Sequence, residues 1–163
     1  MRNLVLMLLI SVGLTSAAKA GAEPTTSAHN ERFGFSITYR ADLFGEAVDN
    51  SADGSGPAAA LSNGRAGFSA SGMFAFETLA ESYRDELAKT DQVITYKTIN
   101  PSENYFVVAG FRGGNVFYVK SYVINGVIKT LSIWYDAKLK STYDKETVAM
   151  SLYGFNPRLP SDP

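Results

Sequence analysis

Asn115-Val116-Phe117-Tyr118-Val119-Lys120-Ser121-Tyr122-Val123-Ile124-Asn125-Gly126-Val127-Ile128-Lys129-Thr130-Leu131-Ser132-Ile133-Trp134-Tyr135 is two runs of β-branched and aromatic residues parted by Asn-Gly. A two-residue type I′ turn needs positive φ at both central positions, which glycine adopts freely and asparagine tolerates. The pattern predicts an antiparallel hairpin of strands over Asn115–Ile124 and Val127–Tyr135. Outward from it, Gly113-Gly114 is a second two-residue turn signal, and Tyr105–Phe111 and Val93–Ile99 have strand composition. The last three strands make a meander.

Both faces of this meander are apolar. Phe117, Val119 and Val123 lie on one side of their strand, and Val116, Tyr118, Tyr122 and Ile124 on the other. A sheet with one wet face would alternate more cleanly, so both sides need a cover. One cover is a helix over about Leu79 to Lys89, with Phe76, Leu79, Ala80, Tyr83 and Leu87 on one face. Thr78 and Glu81 stand at capping-box spacing at its start. The other is a helix over Lys145–Tyr153, capped by Asp144, turning Val148 and Leu152 inward and stopped by Gly154. The fold class expected is α+β, an antiparallel β-sheet flanked by helices on both faces.

Upstream, Phe33, Phe35, Ile37 and Tyr39 alternate with Gly34, Ser36 and Thr38 as in a strand with one buried face. Asp42-Leu43-Phe44 follows, then an irregular, exposed Gly/Ser/Asp loop from Asp49 to Pro57 that includes Gly56. Ala58–Leu61 and Ala66–Ser71 suit a short hairpin around Ser62-Asn63-Gly64. Gly21–Asn30 is small and polar and reads as a flexible lead-in. One domain is therefore expected over residues 31–156, with a C-terminal tail over 157–163.

The first twenty residues read as a cleavable export signal: Arg2, the apolar run Leu4–Ile10, and Ala18-Lys19-Ala20 before the cut. Ser11, Gly13, Thr15 and Ser16 dilute the stretch well short of the ~20 apolar residues of a spanning helix. The expected location is periplasmic or secreted, with no stable membrane insertion after cleavage. Loss of Arg2 and Lys19 with the signal leaves 13 basic against 16 acidic groups, a balance that does not attract nucleic acid. With no cysteine the domain has no disulfide and is held by packing alone.

Phe33-Gly34-Phe35-Ser36-Ile37-Thr38-Tyr39 with Asp42-Leu43-Phe44, the central helix, Tyr105–Gly110, Phe117-Tyr118, and Tyr143-Asp144 before the last helix together resemble short exported proteins of Gram-negative bacteria. Their layout is similar to the PsbP-like fold, shared by an extrinsic lumenal protein of photosystem II and a Ran-binding import factor. The likeness covers about Arg32 to Phe155. It implies an α/β/α sandwich used as a binding or assembly module without catalysis.

The residues themselves offer little chemistry. The only histidine, His29, lies in the lead-in, where it cannot serve as a preorganised base. Gly67-Phe68-Ser69-Ala70-Ser71 nearly matches a nucleophile elbow, but Ser71 stands where the turn needs glycine. Asp49-Asn50-Ser51-Ala52-Asp53-Gly54 resembles half a calcium loop, yet Ala60 occupies the bidentate glutamate's place and Pro57 stiffens the middle. Gly54-Ser55-Gly56-Pro57-Ala58-Ala59 has dinucleotide-fingerprint spacing without the strand before it. Arg112-Gly113-Gly114 is a single tripeptide best used as a turn. The carboxylates Glu77, Glu81, Asp85 and Glu86 are expected on a helix's wet face. Phe106, Phe111, Phe117, Tyr118, Tyr122, Trp134 and Tyr135 are expected to be core and cross-strand partners.

No catalytic, cofactor or metal site is therefore assigned. The expected function is a non-catalytic exported module that binds a protein or cell-envelope partner. The alternatives are a carrier of a small apolar ligand in an aromatic-lined cleft, or a hydrolase with a carboxylate site.

Overall fold

A computed structural model describes residues 24–48, 54–56, 58–60 and 64–158. The export signal, the Asp49–Asp53 half-loop and the Ser62-Asn63 turn positions lie outside the described residues. Nine strands are described: β1 (Thr26–Asn30), β2 (Phe35–Tyr39), β3 (Ala58–Ala60), β4 (Ala66–Phe74), β5 (Gln92–Asn100), β6 (Tyr105–Arg112), β7 (Asn115–Ile124), β8 (Val127–Asp136) and β9 (Phe155–Asn156). The helices are α1 (Ala41–Phe44), α2 (Leu79–Ala88) and α3 (Lys140–Ala149). The strands form a six-stranded sheet ordered β3-β4-β8-β7-β6-β5 and a three-stranded sheet ordered β1-β2-β9, with every pairing antiparallel.

The meander is as the sequence indicates. Asn125 and Gly126 have φ of 52° and 73°, and Ile124 pairs with Val127 across them. The capping box is also made, since Glu81 N–H donates to Thr78 Oγ1 while the Glu81 carboxylate accepts from Thr78 N–H at 2.8 Å. Phe76 stands outside α2 and is fully exposed, so it takes no part in that helix's apolar face.

The two faces of the large sheet are covered differently. On one, Phe68, Ala70, Val116, Leu131, Ile133 and Tyr135 pack against Phe35, Ile37 and Tyr39 of β2, Phe44 of α1, and Tyr143 and Met150 of the C-terminal helical segment. On the other, Phe106, Val108, Phe117 and Val119 meet Leu79, Tyr83 and Leu87 of α2. The cover opposite α2 is thus a helix together with a second small sheet.

Three expectations are corrected. Thr26–Asn30 is no loose lead-in: it pairs with β2 from Thr26↔Tyr39 to Asn30↔Phe35. Asn30 closes the turn, accepting from Phe33 N–H at 2.9 Å and donating to the Gly54 carbonyl at 2.9 Å. A polar strand forms here because its partner supplies the hydrogen bonds, without a hydrophobic pattern of its own. The final helix begins earlier than expected, after a 3₁₀ turn over Ala137–Leu139, and ends in a π-helical turn over Met150–Gly154. Asp144 sits inside it and accepts from the Tyr135 hydroxyl at 2.5 Å, leaving Val148 and Leu152 exposed while Tyr143, Thr147 and Met150 turn inward. Gly56 is not in open space either, since a Cβ there would stand 2.1 Å from the Ala70 carbonyl oxygen and 2.8 Å from the Phe35 ring.

A candidate ligand cleft beside helix α2

Helix α2 carries an apolar stripe at Leu79, Tyr83 and Leu87, and Glu86 falls in it, seven residues after Leu79 and three after Tyr83. The expectation of a wet-face carboxylate therefore fails for Glu86, which is only 7% exposed. Burying a carboxylate is costly unless it is paired. Glu86 Oε2 accepts from Lys89 Nζ at 2.6 Å, and Oε1 lies 4.0 Å from Arg112 Nη2. Oε1 has no hydrogen-bond partner in this structure.

Arg112 is held in place by its surroundings. It ends β6, directly before the Gly113-Gly114 turn, and Nη2 donates to Gln92 Oε1 at 2.7 Å. Gln92 in turn donates to the Glu86 main-chain carbonyl at 2.8 Å. The guanidinium carbon lies 4.8 Å from the Phe117 ring centre, which adds a cation–π contact. Glu86, Lys89, Arg112, Asn115, Ser132 and Trp134 line a cleft of about 280 Å³ floored by Phe117. The sequence marks Arg112 as a turn residue alone; in the structure it serves the turn and the cleft together.

From Trp134 the same side of the sheet continues as a strip of hydroxyls. Ser132 pairs with Ser69 and Thr130 with Ser71 across β8 and β4, all four half-buried. Helix α2 packs chiefly on β5 and β6.

A second cavity of about 280 Å³ opens on the opposite face, between α3 and the sheet, lined in part by Phe111, Tyr118, Tyr135, Lys140, Asp144 and Val148. Burial, then the hydrogen bond and charge of Asp144, push the Tyr135 phenol well above its ordinary range. Burial pushes Tyr118 up to about 12, against a smaller opposing effect of its hydrogen bond to the Ser151 hydroxyl. Lys120, on the same face, is lowered by burial and donates to the Ser151 carbonyl at 2.9 Å. Beside this cavity Val93 and Phe111 are cross-strand partners, and with Tyr96 and Val148 they leave large apolar side chains exposed.

The residues weighed from sequence separate accordingly. His29 lies in β1 opposite Ser36, and Ser69 lies inside β4 rather than at a strand-to-helix turn. Of the aromatic group, Phe106 and Phe117 belong to the α2 core and Tyr135 to the larger one. Tyr118 and Tyr122 pack at the larger core's margin, Phe111 is exposed, and Trp134 lines the cleft. Among the described residues no helix is long and apolar enough to cross a membrane.

No family model and no curated protein matches the sequence. Among solved structures, the chain is similar to the solution structure of cyanobacterial PsbP (CyanoP) from Synechocystis, with a TM-score of 0.56 over 88% of this chain and 98% of that one. The fold is PsbP-like. Sequence identity to that PsbP is 12%, so the likeness is one of architecture, and the cleft's residues stand on their own geometry.

Proposed function

We propose that this PsbP-like protein is a non-catalytic binding module that works outside the cytoplasm on a cell-envelope partner, with the Glu86–Arg112–Trp134 cleft as its binding site. The buried Glu86 Oε1, which has Arg112 at 4.0 Å and no hydrogen-bond partner, carries the reading. An acceptor left open inside a polar frame is costly unless something completes it. Glu86 is tethered by Lys89 and faced by Arg112, and the other polar linings are an amide and a strand hydroxyl. That set suits holding a ligand; acid–base hydrolysis needs a second carboxyl or an activated nucleophile beside the first. The Arg2 to Ala20 layout supports export.

Trp134 is the chain's only tryptophan, so its fluorescence reports the cleft directly. Fractions of a cell-envelope extract are titrated into the wild type and Glu86→Gln. A fraction that shifts the wild-type emission and leaves the variant unmoved supports the reading. If no fraction moves Trp134, the cleft is not the binding site. N-terminal mass spectrometry of the exported protein should find Gly21 first, and retained Met1 would contradict export with cleavage.

A second reading, a protein partner docked on the opposite face instead of a ligand in the cleft, rests on the exposed Val93, Tyr96, Phe111 and Val148 beside the second cavity. Contiguous apolar surface of this kind marks interaction sites.

A further inference from the structure

The chemistry of the α2 cleft narrows what it can hold, on the reading above that the cleft is a binding site. Glu86 Oε1 is an acceptor and so requires a donor from the ligand. An anion is disfavoured, because it would bring an acceptor and a negative charge to a buried carboxylate. An ammonium group is disfavoured for the opposite reason: Lys89 and Arg112 already set two positive charges against the single negative charge of Glu86. A third cation would meet net repulsion at close range. A neutral hydroxyl donates to Oε1 without either penalty and can accept from the donors of Arg112 or Asn115.

The rest of the cleft extends the same chemistry. Phe117 and Trp134 offer apolar ring surface at its floor and wall, and Ser132 opens on the hydroxyl strip of Ser69, Thr130 and Ser71. A small molecule that is apolar on one face and hydroxylated around its rim matches both. The volume of about 280 Å³ lies at the lower end for ligand pockets, enough for one ring and short of a large ligand.

We infer that the cleft binds a neutral sugar ring, with a ring hydroxyl donating to Glu86 Oε1 and the ring's apolar face against Trp134. Free monosaccharide and a residue of a glycan chain share this chemistry. A chain differs in laying its next residues along Ser132, Ser69, Thr130 and Ser71.

The experiment titrates the purified protein with N-acetylglucosamine, its tetramer, glucose, cellotetraose and, as the cationic control, ethylammonium, followed by Trp134 fluorescence and by calorimetry. A saturable emission shift with a sugar, and none with ethylammonium, is expected. Glu86→Gln should weaken that sugar by at least about tenfold, the scale of a lost hydrogen bond to a charged acceptor. Trp134→Leu, followed by calorimetry alone, should do likewise and guards against misfolding of the first variant. A tetramer bound more tightly than its monomer, with the advantage lost in Ser69→Val/Ser71→Val, identifies a chain; equal affinities identify free sugar. No shift with any sugar at about 10 mM, ten times a ~1 mM dissociation constant, overturns the inference. Saturable binding of ethylammonium overturns it in favour of an amine. In either of those outcomes an envelope fraction that still moves Trp134 leaves the binding reading standing, so the two failures are told apart.

Discussion

The two faces of the six-stranded sheet are built to different standards. Among the described residues, the face toward β2 and the C-terminal helical segment holds eleven side chains at 2% exposure or less, Tyr39, Phe44 and Phe68 among them, which with Tyr143 make ring contacts of 4.7 to 5.5 Å. The face toward α2 buries four apolar residues, of which only Phe106 and Val108 reach that standard, and a single ten-residue helix covers it. A tightly filled interior responds to the loss of any atom group, whereas a partly covered one leaves polar groups and ring surface within reach of ligands. Stability therefore resides chiefly on the first face, and the account of binding rests on the second.

The comparison breaks most readily at its deepest residue. Phe68, with no exposed surface and in contact with Tyr39 and Phe44, should lose about 3–5 kcal/mol on Phe68→Ala. Leu87→Ala on half-buried α2 should cost about 1–2 kcal/mol. Urea melts of both variants check it, and equal losses would show that the α2 core bears as much load as the larger one.

Two glycines sharpen the same contrast. Gly126 has φ of 73° and open space around it, so Gly126→Val carries backbone strain alone, about 1–3 kcal/mol. Gly56 has φ of 147° and lies against Ala70 and Phe35 of the large core, so Gly56→Val adds overpacking to strain, about 3–5 kcal/mol. From sequence the order is the reverse, with Gly56 in an irregular exposed loop. Thermal melts of the pair decide between local turn chemistry and core contact as the larger effect.

The smallest effect is alkaline. Tyr118, Tyr122, Tyr135 and Tyr143, all on the large-core side, have raised pKa values because burial disfavours the phenolate. A phenol raised on folding keeps its proton longer in the folded state than in the unfolded one. Its stabilising contribution is complete below pH ~10 and is lost as pH rises through the folded value. For Tyr118 that value is about 12. Lys120 and Lys129 are lowered by burial, so their contribution runs the other way, with stability rising as pH climbs from their folded values to the unfolded one. Tyr118→Phe should flatten the loss between pH 10 and 12 by at most about 2 kcal/mol, read from urea melts at stepped pH. An unchanged slope would mean that Tyr118 ionises in the folded protein as it does in the unfolded chain.

What the sequence revealed follows the range of the forces involved. The Asn125-Gly126 turn, the meander and the Thr78–Glu81 box are set by residues within a few positions of one another, and all three are legible. β1 was not, because Thr26–Asn30 is polar and becomes a strand only through pairing with β2 and the Asn30 to Gly54 hydrogen bond. The start of the final helix is not legible either, because Asp144 has the chemistry of a cap while its carboxylate is taken by Tyr135 from a neighbouring strand. Of the cleft, Glu86 was within reach, since its offsets of seven from Leu79 and three from Tyr83 put it on the buried stripe; its charge argued otherwise. Arg112, Ser132 and Trp134 were not, because their meeting depends on the register of three strands against a helix.

The partly covered face binds and the filled face supports it. Mapping amide and indole NMR shifts while an active envelope fraction or sugar is added tests this most directly. Perturbations are expected at Arg112, Asn115, Ser132 and the Trp134 indole, with Phe35, Ile37 and Tyr39 unmoved. Perturbations confined to Val93, Tyr96, Phe111 and Val148 would contradict it and move the binding site to the opposite side of the sheet.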